Sequence, residues 1–359
     1  MENIFNEIVK ALERKEKLAL ATIITRVGSA PREAGAKYLV KKDGKAIGSI
    51  GGGCVEADVW QEAQEAMEKG EGGVLHFNLT AEQLAEGGLI CGGNIDIFLE
   101  PLTEDFLNIY REVGRISQMG GSGILATVIS VDGAFPKREG AKVLMKASGE
   151  RTGSLFAGDE WEGRIFKEAE TLLREKSLRV LLMSSERANH PWKRMEVLLE
   201  SICSEPTVYI FGAGHISQQV VPLAKKVHFK VVVIDDREIF ANKDSFPEAD
   251  EVIVSEFERS FDQLIIDASS YIIIVTRGHL YDRYILEKAI KTSARYIGMI
   301  GSKKKIHTLY QDLIGRGVRR NELDRVHAPI GLDINSETPE EIAVSIVAEL
   351  IKVKRDKMA

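Results

Sequence analysis

Cysteine is almost missing from this chain: three occur in 359 residues, with no even set at bridge-like spacing. That excludes a disulfide framework and points to a reducing compartment, so the cytoplasm is the expected location. Long apolar runs are lacking as well. The longest, such as Tyr271-Ile-Ile-Ile-Val275, have strand length and fall far short of the ~20 residues of a spanning helix. Positive charge is not in excess: 48 Lys and Arg stand against 54 Asp and Glu. With no dense basic face, a nucleic-acid partner is disfavoured. The opening residues, Met1 to Lys10, are acidic and amphipathic, unlike a secretory leader. No membrane association is expected. The remaining composition, 44% hydrophobic and 28% charged, is that of a globular protein long enough for two or three domains.

What is present, first, is a repeat. Leu20-Ala-Thr-Ile-Ile24 recurs as Leu125-Ala-Thr-Val-Ile129, and Gly28, Pro31, Gly35, Lys37, Gly44 and Gly48 recur 105 positions later without a gap. From position 20 to 50, 14 of 31 pairs are identical. Chance matching at about 7% would give about two. Each copy reads as a strand, a Gly/Pro turn, a second strand, and a hairpin around Asp43-Gly44 or Ser148-Gly149. A helix-period segment (55–68 or 161–174) and a closing strand (74–77 or 179–183) follow. Two such units side by side are expected to share one sheet. The copies differ in their loops. Gly51-Gly-Gly-Cys54 stands before the first helix where the second copy has Phe156-Ala-Gly-Asp159. Cys91-Gly92-Gly93 before the strand 95–99 finds no counterpart in the second copy. One half is expected to keep chemistry, the other shape.

After Glu205-Pro206 the pattern changes. Thr207-Val-Tyr-Ile-Phe211 is a short apolar strand, followed by Gly212-Ala-Gly214-His-Ile-Ser217 and a helix. Such a turn brings backbone N–H groups to a pyrophosphate at the helix's positive end. The next strand, Lys230 to Ile234, ends in Asp235-Asp236, where an acidic side chain typically accepts from ribose hydroxyls. Further strand–helix alternation through Thr338-Pro339-Glu340-Glu341, a helix start with a capping Thr, predicts a parallel doubly wound sheet. The fold class is therefore α/β: a carboxy-terminal Rossmann-type sheet plus an amino-terminal α+β domain built by duplication. The expected divisions are 1–103, 104–203 ending in a linker helix that carries Cys203, and 204–359. Ligands of doubly wound sheets bind at the strands' carboxyl ends. Here those ends carry Gly212 to His215, Asp235 to Arg237, Thr276 to His279, Gly298 to Ser302 and Gly331 to Asp333.

Several runs together carry a resemblance. They are Gly28-Ser-Ala-Pro-Arg32, Gly48-Ser-Ile-Gly-Gly-Gly-Cys-Val-Glu56, Cys91-Gly-Gly93 with Glu100-Pro101, and Phe211-Gly-Ala-Gly-His-Ile216. Asp235-Asp-Arg237, Tyr296-Ile-Gly-Met-Ile-Gly-Ser302, and His327-Ala-Pro-Ile-Gly-Leu-Asp333 with Pro339-Glu-Glu-Ile-Ala343 complete them. In this set the chain resembles the XdhC/CoxI family, the xanthine dehydrogenase accessory (maturation) factors. The resemblance implies a chaperone for the molybdenum cofactor, molybdopterin or its cytosine dinucleotide form. It implies that the cofactor is protected during sulfuration by a cysteine desulfurase and handed to a xanthine dehydrogenase-type apoenzyme.

Among individual residues, Cys54 and Cys91 sit in glycine loops, Cys54 at a helix start, a setting that suits reactive thiols. They are candidates for holding molybdenum or another metal, or for taking up sulfur; the alternative is two small core residues. Arg32 is a candidate phosphate or pterin contact or a plain turn residue. Gly51, Gly52 and Gly53 offer a flexible cradle, and Glu56 orients a loop amide or caps the helix. Gly212, Gly214 and His215 form the phosphate turn, and Asp235 faces the ribose. His279 is a candidate acid, base or ligand contact, or a capping partner of Asp282. Gly301 and Ser302 suit an anion at a helix start, and Lys303-Lys-Lys305 is a further cationic candidate or a solvated face. His327 orders a loop. The expected function is a cofactor-handling maturation factor rather than a turnover enzyme, forming a homodimer. One alternative is an NAD(P)-dependent oxidoreductase, although no Tyr-x-x-x-Lys set is found. The other is a scaffold for the desulfurase that binds no ligand.

Overall fold

The eleven residues of β1 (Leu18–Gly28) are rich in aliphatic and β-branched side chains, and the first seven are buried because both faces of the strand are covered. The structure, a computed structural model, describes residues 4–28, 32–79, 93–133, 140–155, 159–175, 177–184 and 192–356. The chain divides into two compact units, Met1–Cys203 and Ser204–Ala359.

In the amino-terminal unit β1 pairs antiparallel with β2 (Lys37–Lys41), which turns at Asp43-Gly44 into β3 (Ala46–Gly48). On its other side β1 pairs with β5 (Gly93–Leu102), and β5 with β4 (Gly73–Leu79). The order is β3-β2-β1-β5-β4. Helix α1 (Ile4–Glu13) lies on one face, with Ile8 and Leu12 against Leu18, Leu20 and Leu39. Helix α2 (Gly53–Lys69) lies on the other, with Val59, Ala63 and Met67 against Ala19, Ala21, Ile23 and Ile97. After α3 (Leu107–Met119) the plan repeats as β6 (Ser122–Gly133), β7 (Lys142–Lys146), β8 (Arg151–Gly153), α4 (Asp159–Glu175), β9 (Leu178–Ser184) and β10 (Trp192–Cys203).

Two expectations are corrected here. The copies do not share a sheet: the second forms its own, β8-β7-β6-β10-β9. The two sheets meet through Ile24 and Phe98 of the first and Ile129 and Leu198 of the second. The stretch before Glu205 is not a linker helix but strand β10, and Cys203 is its last residue. This strand is also the second copy's counterpart of β5, since each is the partner of its copy's first strand. The sequence hides it for a physical reason. Met195, Val197 and Leu199 face α4 while Leu198 faces the other sheet, so a strand covered on both sides loses its alternation.

The two copies are also joined by charge. Lys142 Nζ on β7 donates to Glu100 Oε1 on β5, and also to Thr127 Oγ1, each at 2.9 Å. Lys37 Nζ on β2 donates to Glu200 Oε1 on β10 at 2.5 Å and to Thr22 Oγ1 at 3.1 Å. Lys37 and Thr22 are the repeat partners of Lys142 and Thr127, so one pairing occurs twice, crosswise. A third anchor fixes α1. Glu7 accepts from Lys10 and from Lys41, both at 2.8 Å, and these bonds hold its carboxyl at about 2. A lowered carboxyl value stabilises fully above its ordinary value near 4.5 and loses this as pH falls through about 2. Glu7→Gln is expected to cost about 1–2 kcal/mol at pH 7, with the exposure of Lys10 discounted, and well under about 1 kcal/mol near pH 2. Urea unfolding at both pH values measures it.

The carboxy-terminal unit is a parallel sheet of order β13-β12-β11-β14-β15-β16. Its strands are β11 (Thr207–Phe211), β12 (Lys230–Asp235), β13 (Glu251–Val254), β14 (Ser270–Ile274), β15 (Tyr296–Met299) and β16 (Val326–His327). β11 and β14 are buried throughout, as central strands covered on both faces must be. The helices that position the site are α5 (His215–Lys226), α6 (His279–Ala289) and α7 (Lys303–Gly315). Helix α8 (Pro339–Arg355) starts as the sequence indicates, with Pro in its first turn and a Thr338/Glu341 capping box. The predicted Rossmann-type sheet is thus present, and the other unit is a duplicated antiparallel α+β unit. Among the described residues no helix is long and apolar enough to cross a membrane.

Candidate functional site

The first site begins where β3 ends. Gly51, Gly52 and Gly53 take φ of 136°, 78° and 65°, a run of positive angles that only glycine adopts freely. They lead into α2, whose second residue, Cys54, is an exposed free thiol. One carboxylate organises the turn. Glu56 Oε1 accepts from Ser49 Oγ at 2.7 Å, Gly52 N at 2.8 Å and Ile50 N at 3.0 Å. Burial pushes this carboxyl up, but the Ser49 hydroxyl and the loop amides outweigh it and hold it below the ordinary range. Glu56 therefore orients loop amides. Arg32 Nε reaches the same loop, at 3.3 Å from Ser49 O.

The second copy shows which parts of this turn are scaffold. There Glu162 accepts from Ser154 Oγ at 3.3 Å and from Leu155 N at 3.2 Å. The carboxylate bracket is common to both copies, whereas the triple glycine and its thiol belong to the first alone. Cys91 and Gly92 lie outside the described residues. Among the described residues no group of three His, Cys, Asp or Glu side chains is placed to hold a metal ion.

A polar row that the sequence does not announce lies on the same sheet. Asp96 on β5 is paired in register with Thr25 on β1 and His76 on β4. Its Oδ2 accepts from Thr25 Oγ1 at 2.5 Å, and its Oδ1 lies 2.7 Å from His76 Nδ1. Burial raises the Asp96 carboxyl, but these two bonds outweigh it and lower it. Only strand register brings the three together, so spacing along the chain gives no signal.

In the carboxy-terminal unit the glycine turn follows β11. Gly212 has φ +114°, and its N–H donates to Ile234 O at 2.8 Å. Gly214 caps α5, and a Cβ added there meets nothing within 4 Å. This leaves room over the helix's first-turn N–H groups, beside exposed His215. Asp235 is 2% exposed and already engaged: it accepts from Ala213 N at 2.8 Å and from Arg237 Nε at 2.9 Å. Burial pushes its carboxyl up, while Arg237 and the Ala213 amide outweigh that and keep it low. Beside it, Arg277 Nη2 donates to Asp236 Oδ2 at 2.9 Å. β12 and β14 flank β11, so this bond crosses the carboxyl end of the central strand.

Next to the turn, between the ends of β14 and β15, lies a cavity of about 290 Å³. Gly301 lines it, and Ser302 caps α7, its Oγ accepting from Lys305 N at 3.4 Å. His279 is the first residue of α6, and its side chain is outside the described residues. Asp282 accepts from Thr276 Oγ1 at 2.5 Å, and the α6 cap is Gly278. His327 Nδ1 lies 2.9 Å from Glu349, which also accepts from Gly331 N at 2.9 Å, so this histidine orders the loop before α8.

Comparison with known proteins agrees with both units. The XdhC Rossmann domain matches residues 208–350, and the XdhC and CoxI family matches residues 11–78 and 117–183, one segment in each repeat copy. A probable xanthine dehydrogenase subunit of Bacillus subtilis (strain 168) is 26% identical over 357 residues, covering 99% of this chain and 98% of its own. The molybdenum cofactor insertion chaperone PaoD of Escherichia coli (strain K12) is 34% identical over 94 residues, covering 26% of this chain and 29% of its own. The crystal structure of a xanthine dehydrogenase from Bacillus halodurans superposes with a TM-score of 0.73 at 26% identity, over 98% of this chain and 96% of that one. By the matches in both units and by this shared architecture, the chain belongs to the XdhC/CoxI family.

Proposed function

We infer that the chain is a maturation factor that binds the molybdenum cofactor and serves a xanthine dehydrogenase-type apoenzyme. The observation that carries this is the exposed Cys54 thiol on a glycine turn, held by Glu56 and found in one repeat copy only. The donor set suits the group: a soft thiol for the metal, the uncapped start of α2 for anionic oxygens, and an arginine, Arg32, at the loop. When bound, the cofactor supplies the metal. Glu56 holds the loop amides in place, and Cys54 presents its sulfur. In the other unit the first turn of α5 at Gly214 offers N–H groups to a phosphate. The name of PaoD supports the cofactor role, and that of the Bacillus subtilis relative the link to xanthine dehydrogenase. Protection during sulfuration, docking of a cysteine desulfurase, a homodimeric state and a cytoplasmic location complete the proposal.

The test is retention. Wild-type protein mixed with molybdopterin is expected to keep it through gel filtration, and Cys54→Ser to lose most of it, by fluorescence of the released pterin. Equal retention would remove the thiol from the function. An NAD(P)-dependent oxidoreductase is less well supported, because the Asp235 carboxylate is already bound by Arg237 and Ala213.

A further inference from the structure

The cavity between β14 and β15 is lined by none of the glycine-turn residues and has its own chemistry. Its floor is apolar: Met299, Ile306 and Leu309 line it, and the first two are almost wholly buried. Its rim is cationic. Arg277 and Lys305 reach it from different elements, and Lys305 is exposed with no carboxylate partner among the described residues. The one carboxylate on the wall, Asp282, is 8% exposed and turned onto the Thr276 hydroxyl. Gly278 and Gly301 line the cavity as well, and each stands where a helix of more than ten residues begins, α6 and α7. The positive ends of both helices therefore add to the charge of the side chains.

We propose that this cavity is a binding site for a phosphate monoester carried on a compact, flat organic body. Charge sets the anion. A monoester carries roughly −1.5 to −2 near neutral pH, and its several oxygens suit donors arriving from separate directions. A carboxylate, with two oxygens, would engage fewer of these donors. Volume sets the body. About 290 Å³ stands at the small end of the roughly 300–1,000 Å³ of ligand pockets, enough for one ring system on the Met299–Leu309 floor and too little for a dinucleotide. Arg277 has a second part: it now bonds Asp236, and a phosphate in the cavity competes for its guanidinium. The ligand class follows from charge and volume, independently of the molybdenum reading.

Calorimetric titration of the full chain with cytidine monophosphate and with inorganic phosphate at low ionic strength tests the site. Cytidine monophosphate is expected to bind more tightly than phosphate, and phosphate to compete with it. Lys305→Glu, an exposed substitution that leaves the core untouched, is expected to weaken binding at least tenfold. Lys304→Glu changes the charge equally on the same helix but does not line the cavity, and is expected to bind as wild type. Absence of heat with either probe overturns the proposal, as does equal weakening in the two lysine variants. Binding that Gly214→Glu abolishes and Lys305→Glu leaves intact overturns it too, since it puts the phosphate on the glycine turn. Cofactor retention by Cys54 is a separate readout, so either result stands without the other.

Discussion

Replacing Lys142 by methionine is expected to destabilise the amino-terminal unit by about 3–5 kcal/mol. Its side chain is 1% exposed, and its partner Glu100 is buried among both repeat copies. Burial already pushes the Glu100 carboxyl above its ordinary value, and Lys142 offsets this only in part. One oxygen receives the lysine's hydrogen bond; the other lies 2.8 Å from the same nitrogen without the alignment of a bond. Without the ammonium this buried carboxyl loses its hydrogen-bonded counter-charge and keeps only the field of Lys37, which is itself bonded to Glu200. Removing both charges with Lys142→Met and Glu100→Leu together is expected to restore most of the loss, since apolar replacement of a buried pair is often neutral. The pH dependence has a definite sign. A carboxyl whose folded value is raised favours folding at low pH and loses this as pH rises, so the deficit of the single variant shrinks as pH falls toward about 4.5 and is smallest below it. All three tryptophans, Trp60, Trp161 and Trp192, belong to this unit, so their fluorescence in urea reports it. A single variant within about 1 kcal/mol of wild type would show the pair to be dispensable.

That pair also marks the boundary of what the sequence reveals. Lys37 and Lys142 are visible as an identical repeat pair, but their acceptors Glu200 and Glu100 lie 163 and 42 positions away. Nothing local assigns those partners. The turn after β11, the Thr338 cap and the glycine run before Cys54 are legible because strand, turn and helix start are contiguous signals. β10 is not, because cover on both faces erases its period. The site divides along the same line. Glu56, two positions from Cys54, is legible with its loop, whereas the Thr25–Asp96–His76 row depends on the register of three strands. Asp235 stands out by its distance from the glycines, yet only the folded chain shows Arg237 and the Ala213 amide upon it.

Gly212→Ala is expected to be the most damaging small substitution in the carboxy-terminal unit, and Gly214→Ala, two residues on, close to neutral. The two glycines look alike in the sequence, but their physical requirements differ. At φ +114° a Cβ on residue 212 would stand 2.5 Å from Val275 O and 2.8 Å from its carbon, both backbone atoms at the end of β14. The turn cannot move away to make room. Its N–H is bonded to Ile234 O, its carbonyl accepts from Ser217 Oγ at 2.5 Å, and Ala213 is tied to Asp235. Strain of about 1–3 kcal/mol from the forbidden angle adds to about 1–3 kcal/mol from overpacking. Residue 214 has φ −91° and open space around its missing Cβ, so alanine should change stability by less than about 0.5 kcal/mol. What alanine at 214 does alter is the approach to the first turn of α5, the position where a phosphate would bear on backbone N–H groups. Hydrogen exchange of the β11, β12 and β14 amides separates the cases: protection falls throughout the sheet in Gly212→Ala and is kept in Gly214→Ala. Equal protection in the two variants would mean that β14 yields to a side chain at position 212, and that the turn is softer than its bonds imply.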